Sequence, residues 1–82
     1  MDSKEPVNKM SSEEYKKDFV AEYTQLKERR DTLADLVYSY QHGISETKPE
    51  CSIMVLREQL SHMNGYLAAL EIRSRMEKIE LK

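Results

Sequence analysis

From Tyr15 to Tyr40 the chain carries its large side chains at steps of three and four, and nothing in that span breaks a helix. Tyr15, Phe19, Tyr23, Leu26, Leu33, Val37 and Tyr40 fall on one stripe, with no Pro or Gly from Ser11 to Gln41. A 3.6-residue period gathers such positions on a single face, so the spacing predicts one long amphipathic helix. Phe19, Leu26, Leu33 and Tyr40 repeat every seven residues, with Tyr23, Arg30 and Val37 in a second row beside them. That is the pattern of a coiled-coil-like seam with one irregular row. Arg30 stands where the seam asks for an apolar group. A cation in that place either snorkels its head out to water or is kept for an anionic partner.

The ends of this helix are marked. Ser11 followed by Glu14 is a capping-box pair, and Glu13, Glu14 and Asp18 place acid near the positive end of the helix dipole. Gly43 takes a left-handed cap at little steric cost and predicts the stop. Gln41 to Lys48 then reads as a short connection. Thr47 with Glu50 offers a second capping box, with Pro49 inside the first turn, so the second helix is expected to begin there and run to about Lys78. Ile53, Leu56, Leu60, Met63, Leu67 and Leu70 give its stripe, and Met54, Tyr66, Met76 and Ile79 widen it. Gly65, in its middle, costs about 1 kcal/mol against alanine. It is either simply tolerated or marks the close approach of another helix or a ligand.

Two long helices and a short loop predict an all-α antiparallel hairpin, with a short extra N-terminal helix as a variant. Residues 1–10 read as a flexible tail and 11–82 as one helical oligomerising domain. Two helices cannot cover each other, and both seams are wide. A chain of 82 residues with 39% hydrophobic content therefore points to a homo-oligomer.

Catalysis finds little to work with. His42 and His62 lie on different elements, and Cys51 is a lone cysteine with no CxxC partner. No glycine-rich phosphate loop or GxSxG elbow occurs. No enzyme activity, metal or cofactor is expected. One cysteine forms no intrachain disulfide, and no stretch of the sequence is apolar enough for a membrane span or a signal peptide, so an intracellular protein is expected. The net charge of −2 disfavours non-specific binding to duplex nucleic acid.

Binding is better supplied. The chain has five tyrosines, which can stack on bases, and Arg29 and Arg30, which can fork onto phosphate oxygens. Stacking aromatics with a few arginines are the parts that hold a nucleotide. Tyr15 and Arg30, fifteen residues apart on one helix, are separated by about 22 Å. Within one chain they cannot grip one small ligand. If two copies of this helix pack antiparallel, Tyr15 of one faces Arg30 of the other, and a two-fold site of two aromatics and two arginines suits a two-fold ligand such as a cyclic dinucleotide. A packed Tyr15 and a snorkelling Arg30 remain the plainer reading.

The positions Tyr15, Phe19, Glu22, Leu26, Arg29, Arg30, Leu33 and Leu36, followed by Leu56-Arg57-Glu58-Gln59-Leu60 with Met63, Tyr66, Leu70 and Arg73, resemble a family of small phage proteins. These are the anti-CBASS cyclic-oligonucleotide sponges, which sequester the messengers of bacterial CBASS immunity without degrading them. The likeness runs from about Tyr15 to Arg73 in spaced single residues. It implies a compact helical homohexamer in the cytoplasm of the infected bacterial host, with cyclic dinucleotides such as 3′,3′-cGAMP held between paired protomers. The implied dinucleotide contacts are Tyr15 and Arg30, with Arg29 as the neighbouring option; the family often has lysine at the cationic place. Some members also take cyclic trinucleotides at a separate three-fold site, for which Arg57 is the candidate. The competing reading is a helical-hairpin adaptor that binds another protein through its apolar seam. A small nucleic-acid-binding regulator is a weaker third.

Overall fold

A computed structural model describes residues 11–81. Among them the chain forms two helices, α1 (Ser12–Gln41) and α2 (Ile53–Glu77), packed against each other as an antiparallel hairpin without strands. The expected tail, and any short helix before α1, lie outside the described residues.

The start of α1 is the predicted capping box. The Ser11 hydroxyl accepts from the Glu14 amide at 3.1 Å, and the Glu14 carboxylate accepts from the Ser11 amide at 3.1 Å. Its end is a Schellman turn. Gly43 sits at φ +70°, its amide donates to Tyr40, and the Ile44 amide donates to Ser39 at 2.9 Å. His42 folds back beside this turn, its ring stacked on Tyr38 with centroids 4.1 Å apart.

The second helix starts later than the sequence predicts. Its N-cap is Ser52, whose hydroxyl accepts from the Met54 amide at 2.9 Å. The expected box at Thr47 and Glu50 does not form, because the Thr47 amide is taken by the Ser45 hydroxyl at 3.2 Å in a local turn. The connection therefore spans residues 42–52 and carries Pro49 within it rather than inside a helical turn.

The far end of α2 repeats the Schellman turn with a different residue. Lys78 is left-handed (φ 58°, ψ 45°), and the Ile79 amide returns to Ser74 at 2.8 Å. This turn aims Ile79 back into the hairpin, where it packs with Phe19 and Leu70. Tyr15, Val20, Tyr23, Leu26 and Leu81 surround that cluster. Leu70, 1% exposed, is its centre. Val37, Leu56 and Leu67 are also buried, and the rest of both stripes is half-covered.

The seam is thus real and incomplete. Tyr38, Ile44, Met54, Val55, Tyr66, Ile72 and Met76 stay exposed. Tyr66 and Met76, which widen the apolar surface of α2 in the sequence, are among the side chains α1 leaves exposed in large part. Gly65 faces open space: a Cβ there would meet nothing within 4 Å, so no close approach to it occurs within the hairpin.

Candidate functional site

Antiparallel pairing gives the hairpin two polar flanks, one on either side of the apolar seam. Each step of seven residues up α1 is answered by a step of seven down α2, so the flanks carry regularly spaced rungs.

Tyr15, Glu22 and Arg29 lie along the first flank, opposite Arg73, Tyr66 and Gln59. At its open end the Tyr15 hydroxyl donates to Glu77 Oε1 at 2.7 Å and accepts from Arg73 Nη2 at 2.8 Å. Arg73 Nε also reaches Glu77 Oε2 at 3.3 Å, and its guanidinium lies over the Phe19 ring, 4.7 Å from the centroid. The middle rung is the Tyr66 hydroxyl donating to Glu22. Beyond it Arg29, exposed, lines a groove of about 480 Å³ with Leu33, Leu36, Gln59 and Met63.

The electrostatics of the first rung follow from its bonds. The Tyr15 hydroxyl and then Arg73 hold the Glu77 carboxyl below its ordinary value, despite some desolvation. The same hydroxyl, with Glu77 behind it, raises the Arg73 guanidinium further above its already high value. Glu77 and Arg73 are therefore both charged at neutral pH.

The second flank holds Tyr23 and Arg30 on α1, opposite Glu71 and Asn64. The Tyr23 hydroxyl donates to Glu71 Oε2 at 2.7 Å. That bond, then burial, raises the phenol above its ordinary value. Arg30 Nη1 donates to Asn64 Oδ1 at 2.7 Å and its Nε to Asp31 Oδ1 at 2.8 Å. So Arg30 does not simply snorkel from the seam: it crosses the hairpin to a partner, with its side chain 29% exposed. These bonds use two of its five N–H donors. Arg57 is exposed and lies on this flank, seven residues before Asn64.

Of the four residues singled out in the sequence, none meets another within the chain. Tyr15 and Arg30 occupy opposite flanks as well as distant turns. Arg29 shares the Tyr15 flank but lies about 21 Å along it. Arg57 belongs to the Arg30 flank. The side chains that bond the Tyr15 hydroxyl are Arg73 and Glu77, and the one that meets Arg30 across the hairpin is Asn64. Sequence reasoning left these partners unassigned. The alternation of seven-residue steps on both helices was the available signal, but it needs the alignment of one helix on the other.

No group of His, Cys, Asp and Glu among the described residues is arranged to hold a metal ion. His62 sits 3.8 Å from Glu58 on the exposed surface of α2, which is an ordinary i, i+4 pairing. No helix among the described residues is long and apolar enough to cross a membrane.

No curated protein and no solved structure matches the chain. The family model described as Sequestin matches residues 13–76, which takes in nearly all of both helices and every rung but Glu77. That span covers the residues through which the sequence resembles the cyclic-oligonucleotide sponges, and it supports a sequestering role. Matched over most of its length, the chain belongs to the Sequestin family.

Proposed function

We propose that the protein is a non-enzymatic sponge that binds cyclic dinucleotides, and cyclic trinucleotides at a second site, and so antagonises bacterial CBASS immunity from the cytoplasm of the infected host. Family membership supports the sequestering role. The observation that carries the dinucleotide site is the separation of Tyr15 and Arg30 onto opposite flanks and distant turns of one hairpin. An aromatic and a cation so placed serve one small ligand only if two protomers contribute. Such a site exists in an oligomer and not in a single chain. The exposed Met54, Val55, Ile72 and Met76 supply apolar surface for that assembly, and the resemblance to the sponges supports a homohexamer.

In this reading Tyr15 stacks on a base, and Arg30 gives its remaining N–H donors to a phosphate, with Arg29 as the alternative cation. Arg57 serves the trinucleotide site. Nothing needs to be cleaved, because capture in stoichiometric excess suffices to silence a messenger.

A ligand that binds only the folded oligomer raises its stability by about 2.7 kcal/mol at a hundredfold excess over Kd. The expected result is a clear upward thermal shift with 3′,3′-cGAMP, none with linear dinucleotides, and recovery of intact ligand after denaturation. The same exposed apolar residues also favour the adaptor reading. No shift with any of a panel of cyclic di- and trinucleotides would leave that reading in front. A monomer by light scattering at micromolar concentration would remove the shared site.

A further inference from the structure

The Tyr15 hydroxyl is already engaged by its own chain. It gives its one hydrogen to Glu77 Oε1 and takes a bond from Arg73 Nη2. Arg73 Nε closes the triangle on Glu77 Oε2, so each of the three groups touches the other two. Arg73 has a further anchor over the Phe19 ring, one turn along α1 from Tyr15. Glu77 is kept ionised by the Tyr15 hydroxyl and by Arg73, so it has no proton of its own to give and acts only as an acceptor.

Two consequences follow. The hydroxyl has no hydrogen left for a ligand, so what Tyr15 offers is the face of its ring. The body of that ring packs on the Phe19, Leu70 and Ile79 cluster, which leaves it half-buried, and its tilt is fixed from the far end by two bonds to α2. We propose that Glu77 and Arg73 are positioning residues, which fix the Tyr15 ring ready to stack on the base of a cyclic dinucleotide. The proposal rests on the function given above and on Tyr15 being the aromatic of that site. Neither residue has to touch the ligand. The Glu77 charge, unwelcome beside a phosphate, is offset locally by Arg73. A ring held in place before the ligand arrives loses less freedom on binding, which is the advantage of preorganisation.

A mutant cycle tests this in the full-length oligomer, with 3′,3′-cGAMP titrated by calorimetry and the ligand-free melting temperature and oligomeric state measured alongside. Glu77→Ala removes one of the two bonds to the Tyr15 hydroxyl and should weaken binding about three- to tenfold, and Tyr15→Phe, which removes both, should weaken it at least as much. Glu77→Gln should recover most of the affinity, because its amide oxygen still accepts the hydroxyl. The double variant Y15F/E77A should be no weaker than Y15F, since Tyr15→Phe already removes the bond that Glu77→Ala takes away. If E77A does not assemble, Arg73→Lys takes its place in the cycle with the same expected non-additivity. Losses that add would overturn the proposal. So would tighter binding by both E77A and E77Q, which would make Glu77 an electrostatic opponent of the ligand. Wild-type protein that fails to bind would remove the function itself; wild-type binding with additive losses would remove only the positioning role.

Discussion

Lys78 ends α2 in the left-handed region, at φ 58° and ψ 45°, where α1 ends on Gly43 at φ +70°. The two helices thus stop by the same turn, one with the residue suited to it and one without. A side chain there brings its Cβ against the following carbonyl, at about 1–2 kcal/mol. Glycine escapes that contact but gives up more freedom on folding, so the net gain from Lys78→Gly should be about 1 kcal/mol. For a chain of this size that corresponds to a rise of about 4–8 °C in Tm. Thermal unfolding followed by circular dichroism, at fixed protein concentration, reads it directly. Lys78→Ala keeps the Cβ and should leave Tm close to that of the wild type, which separates backbone strain from loss of the lysine charge. Gly43→Ala is the mirror experiment and should lower stability by a similar amount, since open space around Gly43 offers no compensating contact. A K78G variant no more stable than K78A would refute the strain account. It would mean that the Ile79 contact with Phe19 and Leu70 holds the turn so firmly that the conformational preference of residue 78 hardly matters.

Gly65→Ala should stabilise the helix by about 1 kcal/mol, because the added methyl meets nothing within the hairpin; a loss of stability, read as a drop in Tm with a change in oligomeric state, would place a second copy against that spot. Two rungs predict the pH limits of stability. The Tyr23 phenol is raised above 10.0 by Glu71, so its contribution is present below pH 10 and is lost as pH climbs through the higher folded value. Glu77 is lowered from 4.5, so its contribution is present above that pH and fades as pH falls through the lower folded value. Denaturation midpoints across both ranges should decline at each end, and Tyr23→Phe should flatten the alkaline decline.

Much of the fold could be read from residues acting over short distances. The α1 seam, its Ser11 cap and its Gly43 stop each depend on groups within a few positions of one another, and all three formed as the spacing predicts. The start of α2 did not. Thr47 and Glu50 have the chemistry of a cap, but Ser45, two residues before Thr47, had first claim on its amide, and Ser52 stands directly before the apolar run. That error carries into the site. Tyr15 and Arg30 stood out by residue type and position, but Arg73, Glu77 and Asn64 become their partners only through the alignment of two helices. A misjudged connection moves every cross-helix pair. One hairpin leaves Met54, Ile72 and Met76 uncovered, as two helices with wide apolar seams must leave part of their surface open.

The rungs have one further consequence. Sliding α2 by seven residues against α1 would set Glu22 opposite Arg73 and Arg30 opposite Glu71, two pairs of opposite charge in place of the neutral-to-charged bonds those residues now make. Judged by those two pairs alone, the slipped hairpin is the better match. The native alignment prevails through its apolar interlock, where Phe19 meets Leu70 and Ile79, and through the two caps that fix the length of the connection. A seven-residue slip is therefore an alternative that those two pairs would favour and that the core rejects. Removing bulk at Phe19 or Leu70 would do more than thin the core: it would weaken the discrimination between two alignments, and only one of them brings Tyr15 to Arg73 and Glu77.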